Sequence, residues 1–124
     1  MYLDWINHTV DLSQPLKDLR AGAPEVMKSF GAMAQAALKP NALDTKTKEL
    51  MAIAIGVATR CDDCIAFHTK AALEHGATRE EIMETLALAI YMGAGPSVMY
   101  ASHAVEAFTQ NAAARAPAAQ PTQD

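Results

Sequence analysis

Cys61, Cys64 and His68 sit in one eleven-residue stretch, RCDDCIAFHTK, running from Arg60 to Lys70. On a helix turning about 100° per residue, their spacing of i, i+3 and i+7 puts all three side chains within a sector of roughly 60°. Asp62, Asp63, Lys70 and Glu74 fall on the other side of the same helix, so the sulfur and imidazole face is the one turned toward protein. Such a face is either a reactive dithiol or a metal site.

As a dithiol, the pair gains from its place at the start of a helix that opens near Arg60. The unpaired N–H groups and positive dipole end of a first turn favour a thiolate, and the reactive cysteine of C-x-x-C pairs titrates anywhere from roughly 3.5 to 7.5. Asp62 and Asp63 complement the same dipole, but as anions they act against a neighbouring thiolate. His68 follows Cys64 by one turn, within reach of its sulfur directly or through a water, and suits a group that takes the thiol proton and returns it to a leaving group. As a metal site, Cys61, Cys64, His68 and Glu49 would supply four ligands of the types zinc accepts, although three of them on one helix crowd the geometry.

The segments before and after this stretch must hold it in place. Asp44 or Thr45 can cap a helix whose charged opening, Lys46, Lys48 and Glu49, gives way to LMAIAIGVA from Leu50 to Ala58. A helix apolar on every face has to be buried on every face, which a small domain achieves most easily against another subunit. Gly56 in its middle costs roughly 1 kcal/mol relative to Ala, and a close approach by another backbone accounts for it. If this helix and the cysteine helix are antiparallel and turn near Arg60, residue 53 is level with residue 68. Glu49, the last charge before the apolar run, then lies about one turn further on, at the edge of the core.

Upstream, the apolar positions Leu3, Ile6, Val10, Leu12, Leu16 and Leu19 recur at helical spacing, with Pro15 marking a break and Trp5 an anchor. Pro24 opens a segment running to about Leu38 and closed by Pro40, with Met27, Phe30, Met33, Ala34 and Leu38 as a stripe expected in the core. Downstream, Gly76 suits a left-handed helix cap behind His75. Thr78 and Glu81 form a capping box for a helix through Ile82, Met83, Leu86, Ile90 and Met92. Gly93-Ala-Gly-Pro96 breaks the chain, and Pro96 starts a last helix with Val98, Met99, Val105 and Phe108 inside. The 124 residues thus read as one all-α domain of five to six helices over residues 1–110, followed by a disordered tail at 111–124. No strand pattern or internal repeat interrupts it.

Composition narrows the function further. Apolar residues make up 51% and aromatic ones 6%, so the core is built from Ala, Leu, Ile and Met, which favours closely packed helices. A net charge of −4 without any Lys/Arg cluster argues against a nucleic-acid partner. No signal-peptide stretch opens the sequence and no later segment reaches membrane-spanning length without a polar interruption, so a soluble, cytoplasmic protein is expected. In a reducing compartment two cysteines three apart are working residues rather than a staple, since a bridge across so short a loop stabilises little.

Glu49, eleven intervening residues, Cys61-x-x-Cys64, three more and His68 resemble the signature of the AhpD-like proteins of the carboxymuconolactone decarboxylase family. The similarity continues through HTKAALEHGATREEI and MGAGPSVMYASHAVEAF, covering about Lys46 to Phe108. The resemblance implies an all-helical fold in obligate, intertwined trimers or hexamers, and no cofactor. It also implies a cysteine pair cycling between dithiol and disulfide, with Glu49 and His68 as a proton relay to the thiols. On that reading Cys64 attacks a peroxide or disulfide substrate, Cys61 resolves, and an external dithiol such as a lipoyl group resets the pair. Members like the decarboxylase itself generally lack the cysteines, so Cys61 and Cys64 argue for redox chemistry. Alkyl hydroperoxidases of the family carry a histidine immediately before the second cysteine, where this chain has Asp63, which weakens the case for strong peroxidase activity but not for disulfide exchange. The rival readings are a metal protein and a non-redox enzyme or structural oligomer on the same fold. Tyr91, Tyr100 and His103 are candidate pocket residues, better read as packing or interface positions. His8 has no sequence context.

Overall fold

Six helices follow one another in the computed structural model, which describes residues 1–116: α1 (Trp5–Asp11), α2 (Ser13–Gly22), α3 (Pro24–Leu38), α4 (Thr45–Ala58), α5 (Asp62–Glu74) and α6 (Arg79–Arg115). All the regular structure among the described residues is helical. The helix starts follow from local chemistry. Asp44 caps α4 by accepting from the Thr47 N–H, and Thr78 and Glu81 close the reciprocal capping box of α6. Pro24 stands at the first position of α3, where its missing N–H costs nothing.

The core is the packing of α4, α5 and α6 on one another, with α1 laid across α5 and α6. Ile53, Val57, Ile65, Ile82 and Trp5 are fully buried, and Ala66, Ala72, Ala104 and Ala107 let the helices approach closely between them. Each full-sized aliphatic side chain removed from water contributes about 1.5–3 kcal/mol, so these few residues dominate the hydrophobic term. Gly56 lies where α4 meets α5. A Cβ there would stand 3.2 Å from the Cys64 Cβ and 3.6 Å from the Ile65 N, so the glycine is what lets the two helices touch at the cysteine turn.

Three expectations from the apolar pattern change. The α3 stripe is not core: α3 has no buried residue, and Phe30 and Met33 are 58% and 60% exposed. Val98 and Met99 on α6, expected inside, likewise face outward, and Met51 and Ile55 on α4, for which a covering subunit is expected, are exposed in the single chain. Periodicity marks an apolar face without saying whether the same chain covers it, and in this single chain it does not. The break before Pro96 is confined to Ala94, whose φ of 57° and ψ of −144° interrupt α6 for one residue. Finally, α6 runs on through Asn111, which is buried and bonds back to the Ala107 carbonyl, to Arg115. The helix therefore claims the first five residues assigned to the tail, and the rest of the tail, 117–124, lies outside the described residues.

Contrary to the composition reading, α6 is long and apolar enough to cross a membrane, with a window averaging 1.3 in mean hydropathy. Only 22% of that window is buried in this chain, while Ile82, Leu86, Ala104 and Phe108 of the helix lie in the shared core and Ser97 and Asn111 are buried along it.

Candidate active site

Two consecutive helix caps build the site. At the end of α4 the backbone reverses through Arg60, which holds a left-handed φ of 57°. The Cys61 N–H bonds to the Gly56 carbonyl at 2.9 Å and the Arg60 N–H to the Val57 carbonyl at 3.2 Å, the paired bonds of a Schellman motif. A non-glycine residue in that conformation costs about 1–2 kcal/mol, set against the two carbonyls satisfied. The reversal delivers Cys61 to the N-cap of α5, where its Sγ accepts the Cys64 N–H at 3.1 Å. One residue thus ends α4 with its backbone and begins α5 with its side chain.

The two cysteines are joined as a disulfide, with Cα atoms 5.2 Å apart. Both are half-buried, as is His68 further along α5. The antiparallel register places Glu49 of α4 against His68: His68 Nδ1 and Glu49 Oε2 are 2.5 Å apart, and the Glu49 side chain is only 4% exposed. A carboxylate in that position accepts the Nδ1 proton and orients the ring, leaving Nε2 as the nitrogen available for proton transfer. All four residues singled out in the sequence therefore belong to one locality, from Glu49 through His68 to the α5 N-terminus that carries the sulfurs. Among the described residues, no three His, Cys, Asp or Glu side chains converge as a ligand set.

A second group of polar side chains flanks the cysteines on the face that sequence reasoning left to solvent. The Tyr2 hydroxyl donates to Asp62 at 2.8 Å, and the Tyr2 ring stacks on His103 with centroids 3.7 Å apart. That hydrogen bond to Asp62 holds the Tyr2 phenol above its ordinary range. His103 Nδ1 faces Asp62 Oδ1 at 3.7 Å, both atoms buried. His8 Nε2 lies 2.5 Å from Asp63 Oδ1. Tyr100 meets His103 edge-on at 5.0 Å, whereas Tyr91 is 82% exposed and takes no part. His8 and Tyr2 were missed because their partners are more than fifty residues away. No local spacing carries that signal.

The N-terminal segment is held there by Glu106 of α6. Its carboxylate accepts from the Tyr2 and Leu3 N–H groups and from Trp5 Nε1, the last at 2.9 Å. Burial pushes this carboxyl up, but the three donors and the nearby N-terminal ammonium outweigh it, and the group titrates below its ordinary range.

Comparison with known proteins places this chain among relatives. The model of the carboxymuconolactone decarboxylase family matches residues 24–107. An uncharacterized protein of Cupriavidus necator is 40% identical over 108 residues, 87% of this chain and 96% of its own length. Among solved structures, a carboxymuconolactone decarboxylase family protein from Legionella pneumophila is 48% identical with a TM-score of 0.84, over 86% of this chain and 96% of that one. A family member from Thermotoga maritima, for which a part in the antioxidative response has been suggested, is 32% identical with a TM-score of 0.74, over 82% of this chain and 86% of that one.

Proposed function

The chain belongs to the carboxymuconolactone decarboxylase family as an AhpD-like member, and from that premise we propose that it is a thiol-disulfide oxidoreductase that can also reduce hydroperoxides. The observation that carries the reading is the buried Glu49 bonded to His68 on the helix whose first turn holds the Cys61–Cys64 disulfide. A carboxylate that fixes an imidazole next to a cysteine pair is the arrangement that activates a thiol.

In the reduced protein Cys64 transfers its proton to His68 Nε2 and attacks as thiolate. With a hydroperoxide, the sulfur takes the terminal oxygen and the O–O bond breaks. His68 returns the proton to the leaving alkoxide, giving an alcohol and a Cys64 sulfenic acid. The Cys61 sulfur then displaces water from Cys64, forming the Cys61–Cys64 disulfide. With a disulfide substrate, Cys64 forms a mixed disulfide, and Cys61 displaces the second substrate thiol. Either route passes two electrons from the dithiol to the substrate. An external dithiol, of which a lipoyl group is the candidate class, returns two electrons and two protons, and a reducing cytoplasm suits that step.

Intact mass checks the cycle. Treatment with a dithiol should add two hydrogens to the oxidised chain, and stoichiometric hydroperoxide or small-molecule disulfide should remove them. A chain whose mass does not change between these treatments is not cycling, and the non-redox reading replaces this one.

The site works within an assembly of this chain. Phe30 and Met33 of α3, Met51 and Ile55 of α4, and Leu88 and Met92 of α6 are exposed apolar residues on three helices, more than a soluble monomer ordinarily leaves to water. A second copy is the occupant proposed, in trimers or hexamers. Sedimentation equilibrium should return a multiple of the 13.2 kDa chain mass, and a monomer at micromolar concentration would refute it.

A further inference from the structure

Asp63 precedes Cys64 in the first turn of α5, and a carboxylate there opposes formation of the Cys64 thiolate. The structure meets that charge with a group from the other end of the sequence. His8, on α1, places Nε2 2.5 Å from Asp63 Oδ1, with the imidazole 24% and the carboxylate 55% exposed. The pair is not needed to hold α1. Trp5 is fully buried, its Nε1 bonds to Glu106, and its backbone N–H bonds to Gln110 Oε1 at 2.8 Å. With α1 anchored by those contacts, His8 is left to act on Asp63.

Resting on the redox reading above, we propose that His8 is a positioning residue of the cysteine site: it bonds to Asp63 and, when protonated, offsets the charge beside Cys64 and so favours the Cys64 thiolate. The remaining ionisable groups at this end of α5 come from every element around it. They are Asp62 on α5 itself, Tyr2 bonded to it, and His103 of α6 facing it. Further along are Glu49 of α4 with His68 of α5, Glu106 of α6 with the N-terminal ammonium nearby, and Tyr100 of α6 against His103. Among the described residues none of these is hydrogen-bonded to the Asp63 carboxylate, and His8 is.

The test uses the reduced full chain and follows alkylation of Cys64 by iodoacetamide against pH, with Cys61 and Cys64 resolved by peptide mass. Because the pair is part-exposed and screened, the expected effect is modest. His8→Ala should raise the alkylation midpoint by about half a pH unit, a roughly threefold slower reaction on the acid side. His8→Gln keeps a hydrogen-bond donor without the charge and should behave like His8→Ala. Asp63→Asn should lower the midpoint, and adding His8→Ala to it should leave that lowered midpoint nearly unchanged. The proposal is overturned if His8→Ala leaves the midpoint in place, if His8→Gln restores it, or if the rise persists in the Asp63→Asn background. The last two outcomes would make His8 an anchor of α1. The readout needs no turnover, so a chain that fails to cycle in the mass experiment would remove the redox reading without deciding the role of His8.

Discussion

Cys64→Ser protein should show no turnover with a hydroperoxide or a disulfide, whereas Cys61→Ser protein should react once and stop. The difference follows from the division of labour along α5. A serine at 64 removes the sulfur one turn from His68, and a hydroxyl is far too weak an acid and nucleophile to replace a thiol there. A serine at 61 leaves the attacking sulfur in place but takes away the group that resolves the product. Cys64 should then accumulate as a sulfenic acid or mixed disulfide, trapped by a sulfenic-acid reagent or read as added mass. Steady-state rates in both variants should fall to background, the largest effect expected of any substitution in this protein. If Cys61→Ser is instead the variant that fails its single reaction, the attacking sulfur is Cys61. Its position at the N-cap, accepting the Cys64 N–H, would supply the reason. Unchanged rates in either variant would remove the mechanism.

The second large effect belongs to Glu49. Glu49→Gln should slow reduction of either substrate by about 10²- to 10³-fold, within the range by which a positioned general acid-base group accelerates a proton transfer. The amide keeps the shape of the side chain while losing the charge that holds the His68 Nδ1 proton, so the ring is no longer confined to one tautomer. His68→Ala should slow the reaction to a similar degree, but with a second consequence. It strands a carboxylate that is 4% exposed without the partner 2.5 Å away. Leaving a buried acceptor unpaired costs about 1–3 kcal/mol, so His68→Ala should also lower the thermal midpoint by several degrees. Glu49→Gln is therefore the cleaner probe, and pre-steady-state rates of disulfide formation with matched melting curves separate the two. Full activity in Glu49→Gln would reduce the pair to a packing feature.

The sequence discloses much of this site because its geometry is local or nearly so. Cys61, Cys64 and His68 share a face by helical periodicity, and a turn of three residues is short enough to fix the register that brings Glu49 to His68. The caps at Asp44, Gly76 and Thr78 are equally local, and all three stand where the residue types placed them. What escaped needed information the chain carries only when folded. The pairing of His8 with Asp63 depends on how α1 docks, which is decided by the burial of Trp5 and the grip of Glu106 on the Trp5 indole and on the Tyr2 and Leu3 N–H groups before it. The α3 stripe was misplaced for a related reason. Met27, Phe30 and Met33 repeat as a core face does, but among the described elements α3 packs on α2 and α4 alone, and the pattern is silent about which chain covers it. Ala94 escaped in detail because the glycines around it carry the turn signal while the alanine takes the unusual angles.

Cys61 caps α5 with the same sulfur that closes the disulfide. A thiolate accepts the Cys64 N–H more strongly than a neutral sulfur does, and it also sits at the positive end of the α5 dipole. Whatever the cap contributes to holding the first turn in the reduced chain beyond what it contributes in the oxidised one is therefore, by linkage, a displacement of the reduction potential toward the oxidising side. That difference in secondary-structure stability and the electron affinity are one free energy measured in two ways, and a substitution that weakens the α5 N-terminus more in the reduced than in the oxidised chain would make this disulfide harder to reduce.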